Sequence, residues 1–224
     1  MAMTEAAPSE SGSGSYLEPY EKAVKRFGPT FEATLWHSKE GQLKRFGVIE
    51  SAVDLRGARI IDAGCGLGDL AAYLRKHKVR FKDYVGLEAF KELVDAASAR
   101  KIKRARFAIA DFVDDAGAFE GHFPANEGAM PDVVVFSGSL NALEIEQALA
   151  VLDRAWQACR QAVVFNFLST RTGQASPTDP TPARRFDPLV MLDWALGRTP
   201  RVVFRQDYMG GHDATIVMLR EGAT

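Results

Sequence analysis

The segment Ile60-Ile61-Asp62-Ala63-Gly64-Cys65-Gly66-Leu67-Gly68-Asp69 constrains this chain more than any other. The apolar run Arg59 to Ala63 reads as a strand, and it enters a turn with glycine at every second position. Leu67, Leu70, Ala71 and Leu74 then recur at helical spacing as far as Lys78. A strand that passes through a turn into a helix opens a βαβ unit, and such a unit needs a parallel neighbour strand.

The alternation continues downstream. Asp83 to Glu88 predicts a strand, Phe90 to Arg100 a helix, and Arg104 to Ala110 another strand. Pro131 to Phe136 is strongly β-branched, a helix is predicted from about Leu143 to Gln161, and Ala162 to Phe167 closes that unit. This pattern predicts an α/β fold with right-handed crossovers. A helix near Pro188 to Leu196 precedes two strands, Arg201 to Gln206 and Ala214 to Leu219, close enough together to pair as an antiparallel hairpin. Residues 169 to 186 form one long irregular stretch of the kind found in lids, binding loops and disordered segments.

Ahead of the first strand the texture differs. Met1 to Ser15 is rich in Ser, Gly, Glu and Ala and predicts a disordered tail over 1–15. Residues 16–55 predict an N-terminal helical cap, interrupted at Gly28-Pro29, with a second helix from Lys39 to about Val53. Residues 56–224 make up the α/β domain.

A glycine turn after a strand, followed by an acidic residue about 20 positions on (here Glu88), cradles nucleotide-like ligands. Here the third glycine, Gly68, comes one position earlier than in the dinucleotide fingerprint. Asp62 stands before the loop, where it repels a pyrophosphate and welcomes an ammonium group. S-adenosylmethionine has a ribose, an adenine, an ammonium and a sulfonium but no phosphate, and the loop suits it better than a dinucleotide.

The segment from Ile60 to Gly68 resembles the first motif of class I S-adenosylmethionine-dependent methyltransferases. Val85-Gly86-Leu87-Glu88 resembles their acidic second strand, Ala110-Asp111-Phe112 the position that reads adenine, and Val133 to Phe136 with Ser137-Gly138 their fourth strand. The resemblance covers about Arg59 to Leu219. It implies a Rossmann-like, seven-stranded, mostly parallel sheet in the order 3-2-1-4-5-7-6, with helices on both faces. It also implies roles: Gly64, Cys65 and Gly66 pass the methionine part and ribose by backbone contact, and Asp62 faces the ammonium. Glu88 holds the ribose hydroxyls, Asp111 accepts from the adenine amino group, Phe112 supplies a backbone N–H, and Ser137 and Gly138 lie beside the sulfonium. Two structural alternatives stay open: Asp111 as a helix cap, and Ser137-Gly138 as a plain turn.

Nothing in the sequence announces a catalytic base. Ser38, Gln42 and Arg45 share one helix face by their spacing, with Arg45 a candidate for the methionine carboxylate or for plain solvation. His37, Asn141, Tyr208 and His212 are candidates to contact the acceptor. Trp36 beside His37 implies its partial burial. Asn166 sits inside a β-branched run, where its buried amide must find partners. Arg171, Arg184 and Arg185 flank the irregular stretch and are candidates for an anionic group on the acceptor or for simple solvation.

Composition excludes more than it identifies. With 28 basic residues against 29 acidic ones, no basic excess favours nucleic acid, and a small-molecule acceptor of the methyl group is expected. Two cysteines far apart give neither a disulfide framework nor zinc-ligand spacing, so no metal is expected. No apolar run is long enough to span a membrane, and a cytoplasmic monomer or homodimer is the simplest expectation. The rival readings are a non-catalytic adenosylmethionine-binding partner protein and a nicotinamide-dependent oxidoreductase. The second lacks both the glycine spacing and a Tyr-x-x-x-Lys pair.

Overall fold

Among the described residues eight strands form one sheet: β1 (Arg59–Ala63), β2 (Asp83–Glu88), β3 (Ala105–Ile109), β4 (Val133–Phe136), β5 (Ala162–Ser169), β6 (Arg185–Phe186), β7 (Val202–Arg205) and β8 (Asp213–Leu219). Six α-helices accompany them: α1 (Glu18–Phe27), α2 (Lys39–Ala52), α3 (Asp69–Lys76), α4 (Lys91–Ala99), α5 (Ile145–Ala158) and α6 (Pro188–Leu196). The computed structural model describes residues 16–124, 130–172 and 183–223, so the expected tail over 1–15 lies outside the described residues.

The strand order is β3-β2-β1-β4-β5-β8-β7, with β6 pairing only with β5. Setting β6 aside, this is the expected 3-2-1-4-5-7-6 order. β1 to β5 pair in parallel, whereas β8 runs antiparallel to both β5 and β7, so the C-terminal hairpin forms as its short connection requires. β6 matches Arg185 to Leu168 and Phe186 to Ser169 inside the stretch read as irregular. Two residues carry no periodicity, which is why the sequence hid it.

Side-chain alternation along the strands divides the core. Ile61, Val85, Val134 and Val163 pack with Leu152 and Ala155 of α5 and Met191 of α6 on one face. Ile60, Tyr84, Val133 and Val164 pack on the other face with Phe46 and Ile49 of α2 and Leu70 and Leu74 of α3. Strands buried on both sides read as continuous apolar runs, and β1, β4 and β5 do. α2 is thus a layer helix of the sheet, capped by the Ser38 side chain, which accepts from the Gly41 N–H at 3.0 Å. α1 contributes Tyr20, and the turn leading into it Tyr16 and Leu17, near the strand ends. Strand order reverses between β1 and β4, and the loops beyond their C-terminal ends open a crevice at that switch point. No helix among the described residues is long and apolar enough to cross a membrane.

Candidate active site

The crevice is floored by the end of β1. Asp62 is 2 % exposed and accepts a hydrogen bond from the Tyr84 hydroxyl of β2. Burial pushes its carboxyl from the ordinary 3.8 up to about 7, against the Tyr84 bond and with help from the neighbouring Glu88 and Asp69 charges. Gly64 follows with φ 78°, and a Cβ there would lie 2.5 Å from Cβ of Ser139, so only glycine lets the backbone pass. The N–H groups of Gly64 and Cys65 both donate to the Leu87 carbonyl, at 2.9 and 3.0 Å. Both backbone donors are therefore committed to the sheet, while Cys65 still lines the crevice and its thiol turns toward Gly86.

Glu88, at the end of β2, accepts from the Gly66 N–H at 3.0 Å and the Phe90 N–H at 3.3 Å. Burial raises its carboxyl and these backbone bonds oppose the rise. Asp111 receives the Tyr16 hydroxyl of the N-terminal segment as well as the N–H groups of Val113 at 3.0 Å and Asp114 at 3.3 Å. It does shape the turn after β3, and it also faces the crevice.

At the mouth of β4, Asn166 of β5 explains its place inside an apolar strand. Fully buried, its Oδ1 accepts from the Gly138 N–H at 2.8 Å and its Nδ2 donates to Ser137 Oγ at 3.4 Å. The amide positions the Ser137-Gly138 turn from behind. Gly138 has φ 76°, and the Trp36 ring lies 2.9 Å from where its Cβ would be.

Two cavities meet at this turn. The larger, of about 880 Å³, is lined by Asp62, Gly64, Cys65, Gly66, Glu88, Asp111, Phe112 and Ser137, and so gathers the expected cofactor residues apart from Arg45. The smaller, of about 590 Å³, is lined by His37, Arg45, Asn141, Leu168 and His212 among others. Tyr20, Thr34, Trp36 and Gly138 line both. Both volumes suit small organic ligands.

The structure moves several expected residues. Arg45 does not reach the larger cavity: its Nε donates to Asp213, and its guanidinium lies 4.7 Å from the Trp36 ring centre. Asp213 is fully buried and neutralises that cation. Gln42, one turn earlier on α2, lines the larger cavity instead, 3.4 Å from Asp69. Tyr208 lines neither cavity; its hydroxyl is 2.6 Å from Thr215 Oγ1, and burial raises its pKa. His37 is exposed although Trp36 is half-buried, yet it lines the smaller cavity. Asn141 also lines it, with Oδ1 accepting from the Leu168 N–H at 3.2 Å. Arg171 pairs with Asp187 at 3.0 Å and Arg184 with Glu144 at 2.5 Å, both on the surface.

The fold has counterparts. The profile of a family described as a methyltransferase domain matches residues 61–165. Magnesium protoporphyrin IX methyltransferase (ChlM) from Synechocystis PCC 6803, solved with bound SAM, superposes with TM-score 0.64 at 12 % identity, covering 97 % of this chain and 100 % of that one. The DhpI–SAH complex gives TM-score 0.62 at 15 % identity, over 92 % and 95 % of the two chains. Phosphoethanolamine N-methyltransferase 1 of Haemonchus contortus gives 0.65 at 12 % identity over 94 % of this chain and 50 % of that one. At such identities the likeness establishes the fold. No curated protein matches the chain in sequence. Residues 61–165 thus match a methyltransferase domain, on a fold shared with structures of S-adenosylmethionine-dependent methyltransferases.

Tyr16, Tyr20, Phe27, Phe31 and Trp36 recur at helical spacing, which suits either a packing stripe or a pocket wall, and Tyr16, Tyr20 and Trp36 line the crevice. Ser139, which the sequence reading missed, lines the larger cavity with a buried hydroxyl that has no hydrogen-bond partner among the described residues. Its position directly after Ser137-Gly138 was the one available signal.

Proposed function

We propose that this enzyme holds S-adenosylmethionine in the larger cavity and transfers its methyl group to an oxygen or nitrogen atom of a small molecule in the smaller one. The observation that carries this reading is the shared wall of Tyr20, Thr34, Trp36 and Gly138, which brings the two cavities together at the β4 turn. The bound cofactor supplies a methyl group made electrophilic by its sulfonium.

The residues of the larger cavity fit that group. Asp62, Asp69, Glu88 and Asp111 surround the space with carboxylates, which suits a cationic ligand and disfavours a pyrophosphate. Asp62 faces the ammonium, Glu88 the ribose hydroxyls, and Asp111 with the Phe112 N–H the adenine. Gly64 and Gly66 let the ligand approach the backbone, and Ser137 lies near the sulfur. The Ser139 hydroxyl is a buried polar atom awaiting a partner, and a ligand in this cavity provides one. A small acceptor is supported by the size of the second cavity, and by a neighbour solved with phosphoethanolamine. Cys65 and Cys159 are both buried free thiols, which supports a reducing compartment such as the cytoplasm.

Thermal-shift and calorimetric titration with S-adenosylmethionine, S-adenosylhomocysteine, NAD and NADP tests the cofactor. Stabilisation by the two adenosyl sulfur ligands is expected; stabilisation by NAD with no response to S-adenosylhomocysteine overturns the reading. Acceptors are then sought in a library of hydroxyl- and amine-bearing metabolites by mass-spectrometric detection of S-adenosylhomocysteine and of the methylated product.

A further inference from the structure

We propose that His212, oriented by Asp213, is the base that takes the proton from a hydroxyl acceptor seated in the smaller cavity. This rests on the two-cavity reading above and adds the atom methylated and the residue that makes it nucleophilic.

His212 lines the smaller cavity with its side chain 17 % exposed. Its backbone is pinned on both sides, the N–H donating to Met209 O at 3.1 Å and the carbonyl accepting from the Ser169 N–H at 2.9 Å. Nδ1 lies 2.8 Å from Oδ2 of Asp213, whose other oxygen takes the Nε of Arg45. On the opposite side of the ring, Nη2 of Arg185 lies 2.8 Å from Nε2. A guanidinium nitrogen only donates, so Nε2 accepts and the ring proton sits on Nδ1 facing Asp213. The imidazole thus carries its lone pair on the side away from the buried carboxylate.

That is the arrangement of a general base: a ring nitrogen with a lone pair, and a buried carboxylate that fixes the tautomer and stabilises the cation formed. The other side chains of the cavity serve less well. Asn141 Oδ1 is taken by the Leu168 N–H, and among the described residues nothing orients His37. Arg185 is anchored through Nη1 to the Ser169 carbonyl at 2.6 Å, so an arriving hydroxyl replaces Nη2 at Nε2 without uprooting the side chain. In the reaction the hydroxyl proton passes to Nε2 while an oxygen lone pair forms the C–O bond and the C–S pair returns to sulfur. The sulfonium's positive charge ends on the imidazolium beside Asp213.

The chain has four histidines, so long-range 1H–15N NMR on the full-length 15N-histidine protein without added ligand reads His212 directly. Its signal is identified by its loss in His212→Asn. The neutral Nδ1–H tautomer is expected, with Asp213→Asn redistributing the proton between the two nitrogens. An Nε2–H tautomer, or a ring doubly protonated at neutral and mildly alkaline pH, overturns the proposal. With the acceptor recovered from the library, His212→Asn should lower kcat by about 100-fold to 10,000-fold and leave S-adenosylhomocysteine affinity within about twofold. An unchanged kcat, or an acceptor atom that bears no proton, overturns it equally. Loss of S-adenosylhomocysteine binding in the wild type would instead sink the methyltransferase site reading, which the NMR result does not depend on.

Discussion

The Tyr16 hydroxyl donates to the carboxylate of Asp111, 95 residues further along the chain, and this bond fastens the start of α1 to the turn after β3. The contact closes one end of the larger cavity with a residue that precedes the α/β domain altogether. Tyr16→Phe keeps the ring in the core and removes only the donor. Losing one such hydrogen bond, worth about 1 kcal/mol, should raise the dissociation rate of S-adenosylhomocysteine about fivefold. Stopped-flow fluorescence measures that rate, and an unaltered rate would show that α1 does not hold the ligand in.

Glu88 is the sharper binding test. Its carboxylate already accepts two backbone N–H groups, so its position is set before any ligand arrives. Glu88→Ala should weaken S-adenosylhomocysteine binding by about ten- to a hundredfold, the range for hydrogen bonds to a charged group. Glu88→Gln should fall between the two proteins in calorimetry, because one acceptor oxygen survives.

Asp62 gives a prediction with a sign on each of two quantities. Its carboxyl is raised from the ordinary 3.8 to about 7, chiefly by burial. Across that window the folded protein holds a proton that the unfolded chain has released, so the Asp62 contribution to stability falls as pH rises. An ammonium ligand, by contrast, needs the carboxylate, so affinity for S-adenosylhomocysteine should climb through the same window and level off above about 7. Asp62→Asn should flatten both trends. Urea titrations and calorimetry as a function of pH, taken as wild type minus variant, check the pair of slopes; parallel slopes would contradict the ammonium assignment.

Gly86 tests packing alone, because its backbone needs no left-handed conformation. A Cβ there would lie 2.5 Å from Cδ1 of Phe107 and 2.6 Å from Cys65 Sγ. Cys65 is buried and Phe107 is half-buried against the core, so Gly86→Ala should cost about 1–3 kcal/mol of stability in chemical denaturation, the range for overpacked cores. Adding Cys65→Ala should restore part of that loss by making room.

The elements of this site differ in how far apart their causes lie in the chain. β1, its glycine turn and α3 follow one another directly, and the apolar run, the glycines and the helical spacing that specify them are all local. The Gly66–Glu88 bond spans 22 residues within one βαβ unit, so Glu88 too was legible from spacing. The order of the strands was legible once the resemblance was recognised, apart from β6, whose pairing comes from its neighbour and not from its own two residues.

Arg45 shows where that legibility ends. Its spacing from Ser38 and Gln42 placed it on the right helix, but its partner Asp213 is 168 residues away and arrives only through the antiparallel return of β8. A buried cation is directed by the nearest buried carboxylate, and no local pattern names which one that is. The same holds for Tyr16 with Asp111, for Asn166 behind the Ser137-Gly138 turn, and for the line Arg45, Asp213, His212 and Arg185 beside the smaller cavity. Local pattern and spacing therefore identify the glycine-turn wall of the larger cavity, because one strand, one turn and one helix build most of it. The smaller cavity is assembled from α1, the segment before α2, α2, β5 and the loops that follow β4 and precede β8, and only their packing brings its side chains within reach of one another.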